Sequence, residues 1–169
     1  METESFELLH WCPEPYPEES IASYLVRLRS QEIAQISAPS SLSQAIGLGI
    51  ALTRWEKFRF NPFPSTEEIE KFCNFVGLEV EQFNAMLPPE GERMKLEPIR
   101  LCAACYAEKP FHRLNWQFQS TAGCNQHRLR LLSKCPGCEK PFSIPLLIQE
   151  KQCKCGMYFR KMAKYQKPF

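Results

Sequence analysis

Cys102-Ala103-Ala104-Cys105, Cys124-Asn125-Gln126-His127, Cys135-Pro136-Gly137-Cys138 and Cys153-Lys154-Cys155 are the runs that decide the architecture of the C-terminal half. Each puts two soft donors on one tight turn, about the span a tetrahedral Zn²⁺ needs. Two pairs complete one four-ligand site with no position left for water. Four pairs therefore predict two closed, structural Zn²⁺ sites per chain and no zinc catalysis. The 18 residues between Cys105 and Cys124, and the 14 between Cys138 and Cys153, suit a hairpin or short helix between knuckles. Sequential pairing groups Cys102, Cys105 and Cys124 with His127, and Cys135, Cys138 and Cys153 with Cys155. A cross-braced pairing joins first to third and second to fourth with the same ligand counts. Sequential pairing closes the loops locally and is preferred on loop entropy. His10 and His112 stand outside the pairs, and His112, between Phe111 and Trp116, reads as a packing or surface residue.

Around that scaffold, 169 residues with 44% hydrophobic content make one or two small domains. The block from Pro98 onward is short of apolar core, a deficit that metal makes up. Residues Pro88 to Pro98 (PPEGERMKLEP) read as a linker. The division expected is 1–90 for a helical, helix-turn-helix-like domain with a Pro-rich arm, and 91–169 for a tandem double zinc-finger domain. Charge divides likewise: residues 1–97 carry 16 Glu against 8 Lys+Arg, whereas residues 98–169 carry 3 Glu against 13 Lys+Arg. Seven zinc-bound thiolates and two Zn²⁺ would leave the second half at about +7. A basic module suits a phosphate backbone and an acidic one suits protein. The sequence contains no Asp and no GxxxxGK[ST] loop, which argues against two-metal nucleases and P-loop ATPases. The N-terminus is acidic and the longest apolar stretch, Leu48 to Leu52, is too short for a bilayer, so a cytoplasmic, reduced protein is expected.

Prolines 13, 15 and 17 predict an extended arm whose Trp11 and Tyr16 pack on the body or anchor in a partner protein. Ser20 reads as an N-cap, and Ile21, Tyr24, Leu25 and Leu28 form one apolar helix face, with Arg27 and Arg29 off it. A short helix from Leu42 to Ile46, capped by Ser40 or Ser41, closes at Gly47. Arg54 to Phe60 interleaves basic and aromatic residues, and Trp55, Phe58 and Phe60 read as core before they read as a stacking surface. Ser65-Thr66-Glu67-Glu68 is a capping box, and Gly77 separates that helix from a second over Glu79 to Leu87. The second helix carries no Lys or Arg, so the pair reads as a protein-docking unit, not as a DNA reader. Cys73 reads as a small buried hydrophobe, and the sequence assigns Cys12 no role. The candidate phosphate contacts are Arg128 and Arg130, which follow His127, and Lys161 and Lys164 on a basic tail helix.

The order of motifs resembles the TniQ family of transposon target-selection proteins. The resemblance is carried by Pro15-Tyr16-Pro17-Glu18-Glu19-Ser20, then Ser23-Tyr24-Leu25-x-Arg27-Leu28, Leu101-Cys102-x-x-Cys105, Arg113-x-x-Trp116, Cys124-x-x-His127 and Cys135-Pro136-x-Cys138. It implies a bacterial, non-catalytic adaptor with an N-terminal helix-turn-helix-like domain and a double zinc finger. The adaptor would link a target-recognition complex to an AAA+ transposition ATPase (TnsC-like). TnsD-like relatives carry a long DNA-reading extension, and this chain ends at Phe169. It therefore resembles the short TniQ of CRISPR-associated transposons, which implies a CRISPR effector complex with guide RNA as partner. The one-residue spacing of Cys153-x-Cys155 departs from the commoner two. The alternative is a small zinc-finger transcriptional regulator that binds a defined duplex site on its own. Chelation is expected to unfold residues from Pro98 onward and to spare much of the N-terminal helices.

Overall fold

Ser20 begins the first helix among the described residues where the sequence puts a cap. Its backbone is extended (φ −77°, ψ 153°) and its Oγ accepts from the Ser23 amide at 3.2 Å, opening α1 at Ile21–Arg29. The computed structural model describes residues 12–31 and 38–169, so His10 and Trp11 lie outside the described residues. Ile21, Tyr24, Leu25 and Leu28 pack with Trp55, Phe72 and Phe83 in a first core, as their spacing predicts. The opposite side is not solvent. Ala22 and Val26 enter a second core with Tyr106, Trp116, Phe142 and Leu147. The expectation of a single apolar face is thus too narrow, because period analysis does not register a small Ala22 as a contact. Arg29 is correspondingly buried and pairs with Glu56 at 3.0 Å. Arg27 reaches back to the buried Glu19 at 2.6 Å.

The first core is closed by four further helices. α2 spans Pro39–Ile46 and starts earlier than its serines suggest, with Pro39 in the first turn, no side-chain cap and Gly47 left-handed at its end (φ 80°). α3 spans Ala51–Glu56, inside the basic aromatic run; Trp55 and Phe58 are fully buried and Phe60 half-buried, as core residues. α4, Thr66–Val76, carries the Ser65/Glu68 capping box and ends at left-handed Gly77 (φ 74°). α5 is only Val80–Asn84, shorter than expected because the chain turns at Ala85 before reaching Leu87. Cys73 is buried against this core.

The second half is built of short pieces. α6 (Ala103–Glu108) is followed by a 3₁₀ turn (Leu114–Gln117) and by an antiparallel hairpin, β1 (Gly123–Cys124) with β2 (Leu129–Arg130). Gly123 pairs with Arg130, and Cys124 with Leu129. α7 (Ile144–Glu150) packs on α1, and α8 (Phe159–Ala163) packs on α6, burying Phe159 and Met162. The tail then returns to β2: Arg130 N donates to Lys167 O at 2.8 Å and Phe169 N to Arg128 O at 2.9 Å. A Cβ on Gly123 would lie 2.3 Å from the Phe169 ring, so the tail seats only where that residue has no side chain. The protein is thus small and mostly helical, with two Cys/His clusters in its C-terminal half.

His112 lies at the junction, fully buried. Its carbonyl accepts from Ser20 N at 2.9 Å and Ser20 Oγ at 3.0 Å, and its amide donates to Ser23 Oγ at 2.9 Å. Gln117 fixes its tautomer. The Gln117 Nε2 donates to Lys95 O, so Oε1 accepts from the Arg100 amide and from His112 Nε2–H, leaving Nδ1 to accept from the Tyr106 hydroxyl at 3.0 Å. Burial, aided by the Arg100 charge, pulls the His112 pKa down to about 3. Of the two sequence readings of His112, packing or surface, the structure shows packing, with polar contacts holding it beside the Tyr106 and Trp116 rings.

Candidate metal centres

The four short runs meet in sequential pairs. The donor atoms of Cys102, Cys105, Cys124 and His127 lie within 4.8 Å of one another, as do those of Cys135, Cys138, Cys153 and Cys155. In the first cluster Cys105 Sγ is 3.5 Å from Cys124 Sγ, and His127 Nδ1 is 3.2 Å from Cys105 Sγ and 3.7 Å from Cys102 and Cys124. In the second, Cys135 to Cys155 is 3.7 Å and Cys138 to Cys153 is 3.6 Å. A disulfide would need sulfurs about 2.05 Å apart. Zn–S bonds of about 2.3 Å put sulfurs about 3.8 Å apart at the corners of a tetrahedron, so each cluster has the dimensions to hold such an ion.

Local backbone explains each half-site. Cys102 is the N-cap of α6 and Cys105 lies in its first turn, so one helical turn brings both sulfurs to one side. Cys124 ends β1, and the turn to β2 carries His127, with Arg128 left-handed at φ 56°. Gly137 N donates to Cys135 Sγ at 3.4 Å, the amide-to-sulfur contact that stabilises a ligating thiolate. The Cys153-x-Cys155 knuckle closes through Gly156, left-handed at φ 89°, whose amide donates to Cys153 O. This turn is what makes the tighter spacing workable.

Crowded thiols resist ionising together. The Cys102 thiol is drawn down to about 5, first by hydrogen bonding from Cys105, while Cys105 is pushed up by the same contact. In the second cluster Cys155 is drawn down to about 7, first by the Met157 backbone amide, while burial pushes Cys153 up to about 12. A divalent cation at the centre removes that conflict and leaves all the sulfurs as thiolates.

Three residues that the sequence reading missed support the first cluster. Glu108 Oε1 lies 2.6 Å from His127 Nε2, so the imidazole turns Nδ1 toward the sulfurs and donates from Nε2 to a carboxylate. Gln126 Nε2 steadies the other Glu108 oxygen at 3.0 Å. Gln166, near the end of the tail, accepts from Ala103 N at 2.9 Å and donates to Arg130 O at 2.8 Å, tying α6 to β2. None has a spacing signal: Glu108 is separated from His127 by most of the hairpin insertion, Gln166 comes from the far end of the chain, and Gln126 reads as a spacer between two ligands.

The other candidate residues divide by position. Arg128, Arg130, Lys161 and Lys164 are all exposed, and the tail pairing sets Lys167 beside Arg130. Tyr16 is half-buried, with its ring 3.8 Å from the Arg27 guanidinium, 4.4 Å from Lys109 Nζ and 4.9 Å from the Phe111 ring. The arm meets the 3₁₀ turn directly: Leu114 N donates to Glu18 O at 3.0 Å, and Glu18 pairs with Arg113. Residues 15–28 and 113–116, far apart in the sequence, thus interlock around Ser20 and His112.

The TniQ family model matches residues 10–131 of the 169-residue chain, which takes in both interlocking segments and the whole first cluster. The chain belongs to the TniQ family. TniQ domains are transposition-associated accessory domains with a role in target selection, working with transposition proteins and DNA. The second cluster, from Cys135 onward, lies beyond the matched TniQ region. A search of curated proteins gave no match. No helix among the described residues is long and apolar enough to cross a membrane.

Proposed function

We propose that this TniQ protein is a non-catalytic adaptor in targeted DNA transposition, linking a target-recognition complex to a TnsC-like AAA+ ATPase. The observation that carries the proposal is the pairing of a TniQ match with two four-donor clusters. Each cluster supplies a full tetrahedral set from protein, so a bound Zn²⁺ would have no open position for substrate and would act as a structural ion. The eight ligands would be Cys102, Cys105, Cys124, His127, Cys135, Cys138, Cys153 and Cys155. The proposed recognition complex is a CRISPR effector with its guide RNA.

In this scheme residues 1–90 face protein and 91–169 face nucleic acid, following the charge division. Arg128, Arg130, Lys161 and Lys164 would touch phosphates as point charges, giving weak, salt-sensitive binding with little sequence preference. Trp11 and Tyr16 would be contacts to the ATPase. The deciding experiment is co-purification of the zinc-loaded protein with a TnsC-like ATPase, with and without the effector complex. Association with both supports the adaptor. Failure to bind either, together with footprinting of one duplex sequence at physiological salt, would favour the transcriptional regulator. The five-residue α5, without Lys or Arg, argues against such major-groove reading.

A further inference from the structure

A groove of about 1250 Å³ opens between the two cores, beside the polypeptide that joins them. Phe60, Phe63, Leu87, Met94, Leu96 and Phe118 supply its apolar surface. Phe63 is 51% exposed and Leu96 42%, although both are large hydrophobes. Among the described residues its charged lining is Glu18, Glu90 and Glu92, with no Lys or Arg. Arg93 and Lys95 alternate with Met94 and Leu96 and stay out of the lining. Glu18 already pairs with Arg113, so Glu90 and Glu92 set the sign of the rim. The wall also holds Asn115, whose Oδ1 is buried with no donor among the described residues.

We propose that this groove docks a basic, amphipathic peptide segment of a partner protein, its apolar side chains on the phenylalanines and its Lys or Arg residues against Glu90 and Glu92. The volume exceeds the roughly 300–1,000 Å³ of small-molecule sites and suits several side chains of a peptide. Exposed aromatic and aliphatic surface of this kind, rimmed by charge, marks a protein contact. The charge selects the partner. Residues 1–11 of the chain itself carry Phe6, Leu8, Leu9 and Trp11, but also Glu2, Glu4 and Glu7, the same sign as the rim. The site does not depend on the adaptor role, because it is defined by groove chemistry alone.

The test uses the full zinc-loaded chain and a fluorescein-labelled peptide of Leu, Phe and Lys with apolar residues at i, i+4 and i+7. Its counterpart has Glu in place of Lys. Fluorescence anisotropy should show saturable binding of the basic peptide and not of the acidic one. Phe63→Ser and Leu96→Ser, on side chains already half exposed, should each weaken binding by about tenfold or more while thermal melting is kept. Glu90→Lys with Glu92→Lys should reverse the preference between the two peptides. Three results would overturn the proposal: no binding of the basic peptide, binding indifferent to these substitutions, or its displacement by a peptide of residues 1–11. The last would assign the groove to the chain's own N-terminus.

Discussion

His127 turns its Nδ1 toward three cysteine sulfurs while its Nε2 lies 2.6 Å from Glu108. Such a carboxylate fixes the imidazole tautomer and raises its basicity as a ligand. Glu108→Ala should therefore lower metal affinity at the first cluster by about 10–100-fold with the fold retained when metal is saturating. Competition against a chromogenic chelator reads this directly, and an unchanged affinity would remove Glu108 from the site.

The two clusters should not release metal together. All three cysteines of the first are buried, whereas in the second Cys155 is exposed and Cys138 half-buried. Metal analysis of freshly prepared protein should give two Zn²⁺ per chain, and limited chelator should strip the second cluster first. Cys155→Ser is expected to leave one tightly held ion. Loss of both ions in one step from the wild type would contradict the ordering.

Acid should destabilise the protein through His112. Its pKa is about 3 in the fold, against about 6.5 in an unfolded chain. Below about 6.5 the unfolded state takes up a proton that the folded state refuses, so stability falls as pH drops toward 3. The loss from this group between pH 7 and pH 5 is about 2 kcal/mol. Glu19 acts in the opposite sense, since burial raises its folded pKa against the pull of Arg27. Urea unfolding of the wild type and His112→Asn across that interval, both zinc-saturated, isolates the histidine. Parallel pH profiles would show that it contributes nothing.

Tyr16 is held between two cations and a phenyl ring. Tyr16→Ala should cost about 1–2 kcal/mol of stability from these contacts. As a proposed contact to the ATPase it should also weaken that association, and the same variant can be measured for both. Lowered Tm with unchanged association would leave Tyr16 a structural element of the arm.

Much of this was legible because metal ligands and helix caps act locally. Four donor pairs, Ser20, the Ser65/Glu68 box and Gly77 each declare themselves within a few residues. What the sequence hid was long-range. Glu108 finds His127 only once the hairpin folds back on α6, and Gln166 finds Ala103 across most of the second half. The helix α3 has no signal in that basic and aromatic run, although the core reading of its aromatics holds, with Trp55 against Phe72 and Phe83. α5 was overextended because apolar spacing continues to Leu87 after the backbone has left the helix.

α1 has one side in each core, and that changes what metal loss means for the cell. Ala22 and Val26 pack with Tyr106, the residue after ligand Cys105, while Tyr24 and Leu25 pack with Trp55 and Phe72. Collapse of the metal-bearing half would strip one flank of the helix on which the other half is assembled. The early expectation that chelation spares the N-terminal helices is therefore revised: the two halves should melt in overlapping transitions. Metal shortage would then be felt on both flanks of α1, and not in the cysteine-bearing half alone. The more exposed second cluster, the first to empty, would set the metal concentration at which the whole chain begins to loosen.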